Sequence, residues 1–89
     1  LVLREEAIIA SGALPAVAGA DYACAFAAAE LNNYDADAAR VYCPLIEEAA
    51  LLAFAQGLPA GSWVVQWVKP GGESIFVALD SFGRVLKTS

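Results

Sequence analysis

The side chains that could perform acid–base chemistry in this chain of 89 residues are carboxylates, because the sequence contains no histidine. They occur in three close pairs: Glu5 and Glu6, Asp35 and Asp37, and Glu47 and Glu48. Successive residues do not share a helix face, so the two glutamate pairs are poorly placed to exchange a proton. The aspartate pair suits a helix cap instead. Since the commonest general base is missing, we predict that the protein is not an enzyme and has no catalytic residues.

The donor pattern also does not indicate a metal site. Residues 32–37, NNYDAD, are acidic like a calcium loop but lack its glycine and its distal bidentate glutamate. Two cysteines without a histidine do not complete a tetrahedral zinc site. We therefore predict that the protein uses no metal and no other cofactor.

Cys24 and Cys43, with eighteen residues between them, leave three alternatives open. A disulfide between them would stabilise the fold by about 3 kcal/mol through chain entropy. Two reduced thiols are typical of a cytosolic protein, and Cys24 would then be a small apolar core residue. In the third alternative Cys43, just before Pro44 at a potential helix N-terminus, is a reactive thiolate.

The charge balance and the apolar runs exclude two kinds of partner. Ten acidic and five basic side chains give a net charge of −5 without a basic stripe, so we predict no direct binding to nucleic acid. The strongest candidate for a membrane segment, residues 49–55, is far too short to span a bilayer. We expect no membrane association and, with no signal peptide visible, a cytoplasmic location.

The elements that would position these side chains change character near Pro59, from helical signals before it to strand signals after it. A helix that ends with Gly57 and Pro59 is apolar on most sides, which is typical of a buried central helix. The sequence predicts a single small α+β domain over residues 1–89, whose helical part, 1–59, contains three or four helices. They cover residues 1–11, a segment from between 15 and 21 to about 32, residues 35–41 and residues 45–58.

Three strands are predicted after the helices, because β-branched and aromatic residues alternate with turn residues. They cover residues 62–69, 74–80 and 84–88 and form an antiparallel β-meander packed on the helices. Gly71 and Gly72 are expected to form a two-residue hairpin loop, because glycine accepts a positive φ. Residues 80–83 predict a type I turn with Gly83 in a left-handed bulge position.

These loop lengths imply a register with Lys69 opposite Ser74 and Asp80 opposite Arg84, which assigns each side chain to a face. The first face is aromatic and is expected to pack on the last helix; it carries Trp63, Val65, Trp67, Phe76, Ala78 and Leu86. The second face is largely aliphatic; it carries Val64, Gln66, Val68, Ile75, Val77, Leu79, Val85 and Lys87. Two apolar faces are unexpected, since an antiparallel sheet with one solvated face alternates apolar and polar residues.

Three explanations account for the second apolar face: helices on both faces, a second copy of the chain, or a different protein or apolar ligand. We predict a non-enzymatic protein-interaction module, such as an adaptor, inhibitor, immunity protein or regulator. It would bind a protein partner, or itself as a homodimer, through the sheet or through an edge strand, with 62–69 as the more apolar edge. The predicted partner-binding residues are Trp63, Val64, Gln66, Trp67, Val68, Ile75, Val77, Leu79, Val85 and Lys87. The alternative is a small apolar-ligand binder, with a pocket between sheet and helices lined by Trp67, Phe76, Phe54 and Tyr22.

Overall fold

The computed structural model describes Gly12, residues 22–28, Asp37, Val41 and residues 43–89. Within this part the elements in chain order are β1 (Tyr22–Ala27), α1 (Glu48–Ala55), β2 (Trp63–Val68), β3 (Ser74–Leu79) and β4 (Val85–Thr88). The strands form one antiparallel sheet in the order β1-β2-β3-β4. The described part is α+β, but the prediction of three or four helices before three strands is wrong, because there are four strands and the first of them precedes α1. The predicted helix over 1–11 lies outside the described residues, and so does the one over 35–41 apart from Asp37 and Val41, which are both helical.

β1 occupies a segment that we predicted as helical. Its sequence, YACAFA, alternates alanine with larger residues, and this period of two agrees with a strand. Cys24 and Phe26 pack with the core that includes α1, whereas Ala23 and Ala25 pack in a second core on the other side. The helix propensity of alanine is worth less than about 1 kcal/mol per residue, so pairing of all six residues with β2 overrides it.

β2 lies inside the sheet, with β1 on one side and β3 on the other. The expectation that residues 62–69 form an exposed edge is therefore wrong. A strand with two strand neighbours and two covered faces is typically a continuous apolar run, which explains why WVVQWV hardly alternates. The edges of the described sheet are β1 and β4.

The β2–β3 hairpin has a three-residue loop, Pro70-Gly71-Gly72, in place of the two-residue loop that we predicted. The N–H of Lys69 donates to the carbonyl of Glu73 at 2.8 Å, so these two residues lie opposite each other. The N–H of Gly72 donates to the carbonyl of Lys69 at 2.9 Å, and Gly72 has a φ of +88°. This arrangement is a type I turn followed by a left-handed glycine, a common hairpin connection.

The different loop shifts the register by one residue, so the predicted pairing of β2 with β3 is wrong. Trp67 pairs with Ile75, and Gln66 pairs with Phe76. Because successive side chains of a strand point to opposite faces, this shift moves every β3 side chain to the other face. Phe76 therefore shares a face with Gln66, not with Trp67.

The left-handed glycine of this loop provides a test of the assignment. We expect Gly72→Ala to lower the free energy of unfolding by about 1 kcal/mol, because an L-residue is strained at a φ of +88°. An added Cβ meets nothing within 4 Å at either glycine, so the cost at Gly72 is conformational. Gly71 has no positive φ, which makes Gly71→Ala the matched control with little expected effect. Urea denaturation measures both variants, and equal losses of stability would contradict this loop geometry.

The turn between β3 and β4 forms as predicted. The N–H of Asp80 donates to the carbonyl of Arg84 at 2.9 Å, and the N–H of Gly83 donates to the carbonyl of Asp80 at 3.1 Å. Gly83 has a φ of +86°, the left-handed conformation expected of it. The Asp80 carboxylate also accepts hydrogen bonds from the N–H groups of Phe82 and Arg84, both at 2.9 Å. The predicted pairing of Asp80 with Arg84 is thus confirmed.

A β-bulge follows this turn and changes the rest of the β3–β4 register. Leu79 pairs with Val85, but the next pair is Ala78 with Lys87, so Leu86 is the extra residue of β4. The predicted pairing of Ala78 with Leu86 is therefore wrong. Loop length alone does not reveal a bulge, because the extra residue is inserted within the strand.

α1 is shorter than the predicted helix over 45–58. It begins at Glu48, because a turn closed by a hydrogen bond from the Ile46 N–H to the Cys43 carbonyl, 3.1 Å, occupies the residues before it. It ends at Ala55, and Gly57 follows with a φ of +82°, as the stop signal predicted. The stop signal at Gly57 was therefore read correctly, but the predicted range 45–58 starts three residues before α1 and extends three residues beyond it.

α1 lies at the surface and covers the sheet with one side. Leu51 and Ala55 are its buried residues, whereas Leu52 is 41% exposed. The prediction of a buried central helix is therefore wrong. An apolar surface on most sides of a helix does not require burial when many of its residues are alanines, which expose little apolar area.

The sheet has two faces, defined here by the clusters in which their side chains pack. The helix-side face, against α1, comprises Cys24, Phe26, Val64, Gln66, Val68, Phe76 and Ala78. The opposite face comprises Ala23, Ala25, Trp63, Val65, Trp67, Ile75, Val77 and Leu79. The expectation that both tryptophans pack on the last helix is wrong. Phe76 lies under α1 instead, stacked on Phe54 with ring centroids 5.5 Å apart.

Both faces are buried. On the helix-side face Val64 and Val68 are fully buried, and on the opposite face Val65 and Val77 are fully buried as well. The sheet therefore does not leave a bare apolar face, and exposed apolar area has to be sought at its edges and turns.

Candidate functional site

The acidic side chains that the sequence singled out do not assemble a site in the described part. Asp37, Glu47 and Glu48 are exposed, while Glu5, Glu6 and Asp35 lie outside the described residues. In residues 22–28, 43–89 and the three single positions described, no group of three or more His, Cys, Asp or Glu side chains could hold a metal. Two other features remain as candidates: a buried cluster of thiols and an amide, and the exposed edge of the sheet.

The buried cluster is centred on Gln66 of β2, which is 0% exposed. The Gln66 Oε1 accepts a hydrogen bond from the Sγ of Cys43 at 3.2 Å, and its Nε2 donates to the carbonyl of Leu45 at 3.3 Å. Cys24 is the Cα partner of Gln66 on β1. Both cysteines are present as thiols, so the disulfide, one of the three alternatives that the sequence left open, is not formed. The amide of Gln66 thus attaches the loop before α1 to the sheet through the two bonds that it makes there.

The geometry of Cys43 does not favour the reactive-thiolate hypothesis. The side chain is 0% exposed, and the residue lies in the loop ahead of α1, outside its first turn. Reactive cysteines are partly exposed and often lie at a helix N-terminus. Cys43 is therefore better explained as a core residue that also donates a hydrogen bond.

The predicted partner-binding residues fall into three groups in the structure. Six are buried: Val64, Gln66, Trp67, Val68, Val77 and Leu79. Trp63 and Ile75 are half-buried and pack against the opposite-face core. Val85 and Lys87, both in β4, are exposed. A partner could reach the last two without any rearrangement of the fold.

The residues predicted to line an apolar pocket are divided between two faces. Phe54 and Phe76 stack on each other on the helix side, with ring centroids 5.5 Å apart and planes inclined by 27°. Trp67 lies on the opposite face, in a different core cluster. The side chain of Tyr22 lies outside the part of the chain that the structure describes. The sheet separates Trp67 from the two phenylalanines, so these three residues do not line one pocket.

Three of the six large apolar residues that are exposed in the described part lie at β4 and the turn before it; the other three are Val41, Leu45 and Leu52. Phe82 is 87% exposed, and Val85 and Leu86 are 44% and 43% exposed. All four residues of β4 are exposed, whereas most residues of β2 and β3 are buried. Together, Phe82 and residues 84–88 form what is called the β4 edge below.

Sequence reasoning missed Phe82, Arg84, Leu86 and Thr88 of the β4 edge. The exposure of Phe82 could have been predicted, because it is the third residue of the turn over 80–83 and the tip of a tight turn cannot bury a side chain in its own sheet. Leu86 was assigned to the aromatic face, and the bulge that displaces it leaves no signal in the sequence. Val85 and Lys87 were included in the predicted set.

The backbone of the β4 edge carries hydrogen-bonding groups that point away from the sheet. The carbonyl of Arg84 accepts from Asp80, and the N–H of Ser89 donates to the carbonyl of Phe76 at 2.8 Å, so both residues bond inwards. In an antiparallel ladder, residues alternate between inward and outward bonding. The N–H and C=O groups of Val85 and Thr88, next to these two residues, therefore point outwards. No further strand pairs with β4 in the described sheet.

Two cations lie along this edge. Arg84 and Lys87 are both exposed, and residues 81–89 contain no acidic residue. The Nζ of Lys87 lies 4.6 Å from the centroid of the Phe54 ring, so this side chain lies on the helix side. The β4 edge thus combines exposed apolar side chains, outward backbone groups and positive charge.

No protein-family model, curated protein or solved structure matches the chain. None of the helices in the described part is long and apolar enough to cross a membrane.

Proposed function

We propose that this chain is a non-enzymatic protein-interaction module that binds a partner protein at the β4 edge. The observation that supports the proposal is the exposure of Phe82, Val85 and Leu86 beside a strand whose outer side is unpaired in the described sheet. The predicted interaction role is kept, but the surface moves from the faces of the sheet to its edge, because the faces are buried.

The binding mode that fits this edge is strand addition. An extended segment of the partner would bond to the outward N–H and C=O groups of Val85 and Thr88, and these bonds would supply affinity without sequence preference. Side chains next to the strand would supply specificity. The partner segment would become the strand beyond β4 in the sheet.

Phe82 would act as the apolar anchor of the complex. At 87% exposure its ring contributes little to the folded chain and is available for contact with another molecule. Truncation of a large aromatic residue in the centre of an interface typically weakens the complex by at least about 1 kcal/mol. Phe82→Ala should therefore weaken binding without unfolding the protein.

The test begins with a photo-crosslinking phenylalanine analogue placed at position 82, and at position 71 for comparison. Gly71 lies in the β2–β3 loop, at the other end of β3, and has no neighbour within 4 Å of its added Cβ. We expect a discrete protein adduct from position 82 that untagged protein competes away, and none from position 71. The captured protein is then purified and its affinity for the wild-type chain, Phe82→Ala and Val85→Pro is measured by calorimetry.

We expect both variants to weaken the complex at least tenfold. Val85→Pro removes an N–H group that faces away from the sheet, a position where proline is tolerated, while Val85→Ala keeps that group and serves as its control. Circular dichroism confirms that each variant is folded. Unchanged affinity of both Phe82→Ala and Val85→Pro, or equal capture from both crosslinker positions, would refute binding at this edge.

A further inference from the structure

The charge of the β4 edge is opposite to that of the rest of the chain. Residues 81–89 carry Arg84 and Lys87 and no acidic side chain, a charge of +2, although the whole chain carries −5. The other eighty residues therefore carry −7, from three basic and ten acidic side chains. Asp80, the acidic residue adjacent to this segment, already accepts hydrogen bonds from two backbone N–H groups of the turn. A basic edge on an acidic protein selects partners by charge.

The two cations lie on one side of β4, and Val85 and Thr88 lie on the other. Lys87 pairs with Ala78 and reaches Phe54, which places it on the helix side. Val85 pairs with Leu79, which belongs to the opposite face. Arg84 directly precedes Val85, so alternation places it on the helix side with Lys87. Thr88 follows Lys87 and lies on the same side as Val85.

From this arrangement we infer that the partner segment is an acidic strand, with carboxylates facing the helix side and apolar residues facing the other side. The inference rests on the proposed function and specifies its partner. Carboxylates directly beside Arg84 and Lys87 stabilise the added strand, because opposite charges on neighbouring strands attract. Apolar residues beside Val85 extend the opposite face of the sheet by one strand.

A second copy of β4 does not meet this description. Pairing two β4 edges would place the Arg84 and Lys87 side chains of both copies on a single seam, and like charges on adjacent strands are destabilising. Lysines and bulges on an edge strand are also devices that prevent self-association of sheets. The edge therefore excludes its own copy by the same charges that attract an acidic strand.

The experiment uses synthetic peptides with capped ends and the whole ¹⁵N-labelled chain. One peptide of ten residues alternates glutamate with valine, the second alternates lysine with valine, and the third repeats the first with alternate backbone amides methylated. NMR titration follows the amide signals of Val85 and Thr88. We expect the glutamate peptide to bind at least tenfold more tightly than the lysine peptide, and the methylated peptide to lose binding, because it cannot form the ladder.

Charge-reversed variants of the protein separate edge recognition from general charge attraction. Lys87→Glu should weaken binding of the glutamate peptide about tenfold, whereas Lys69→Glu, the same change next to the β2–β3 loop, should have a small effect. Because Lys87 also contacts Phe54, Arg84→Glu repeats the test at a residue without that contact. Equal effects of Lys87→Glu, Arg84→Glu and Lys69→Glu would refute recognition at the edge.

The outcomes distinguish this inference from the proposed function. Equal binding of the glutamate and lysine peptides at Val85 and Thr88 would overturn the acidic partner and leave strand addition standing. If the peptides shifted amide signals elsewhere in the protein but not those of β4, both the acidic partner and strand addition would be overturned. Sedimentation of the chain alone across a concentration series should show no self-association through β4. A dimer that Val85→Pro dissociates would show that the partner of this edge is a second copy of the chain and not an acidic strand.

Discussion

Gln66→Glu is expected to destabilise the protein by about 4 kcal/mol or more at neutral pH, because it places a carboxylate at a site that is 0% exposed. The new side chain has nearly the same shape but loses the N–H that donates to the carbonyl of Leu45. A domain of this length has a free energy of unfolding of about 4 to 13 kcal/mol. The variant should therefore be partly or fully unfolded at pH 7, as measured by urea denaturation with circular dichroism.

The loss should lessen as the pH falls. Burial raises the pKa of the introduced carboxyl group in the folded state above its value in the unfolded chain, so the folded state binds the additional proton. Stability of the variant relative to wild type then rises as the pH drops from neutrality through this raised pKa, and it levels off below the pKa of the unfolded chain. The protonated carboxyl can again donate to the Leu45 carbonyl.

Gln56→Glu is the matched control for this variant. Gln56 is exposed at the end of α1, where a new carboxylate stays in water and meets only the negative end of a short helix. Its effect should be about 0.3 to 1 kcal/mol and should be screened by salt. If Gln66→Glu were as mild as this control and independent of pH, Gln66 would not be buried in a hydrogen-bonded site.

Phe26→Ala should destabilise the protein by about 3 to 5 kcal/mol, because it removes a fully buried ring from the helix-side core. Phe26 lies in β1 and pairs with Val64 of β2, so the cavity would open where the first strand joins the sheet. The expected result is a lower denaturation midpoint, observed in the fluorescence of the two tryptophans. The m-value should stay unchanged if unfolding remains two-state.

Phe82→Ala provides the control for this substitution within the same chain. The ring of Phe82 is 87% exposed, so its removal should change the free energy of unfolding by no more than about 0.5 kcal/mol. The two variants thus test burial with the same pair of amino acids. A large loss of stability in Phe82→Ala would mean that the turn side chain packs in the fold and cannot serve as a free anchor.

The strands β2, β3 and β4 and the end of α1 could be predicted from the sequence, because their signals are local. Runs rich in valine, isoleucine and tryptophan marked the strands, and Gly57 and Gly83 marked two chain reversals whose left-handed φ the structure confirms. Val85 and Lys87, the exposed members of the predicted partner-binding set, followed from the same local pattern. These features depend on a few adjacent residues and need no knowledge of the rest of the chain.

β1 could not be predicted, because its pattern was compatible with two structures. The alternation in YACAFA suits a strand, yet alanine is the best helix former, and the intrinsic difference between the two states is small. Pairing with β2 decides between them, and that strand lies more than thirty residues further along the chain. Only the tertiary structure supplies this neighbour.

The face on which each side chain lies depends on one residue in the length of the β2–β3 loop and on one bulge residue in β4. The residues around Gly71 and Gly72 permit both a two-residue and a three-residue connection, and the register differs by a single position between them. Because side chains alternate with a period of two, that difference placed Phe76 under α1 and both tryptophans on the opposite face. Three of the four strands of the described sheet were thus readable from the sequence, whereas the fourth strand, the buried faces and the exposed edge depended on long-range pairing and packing.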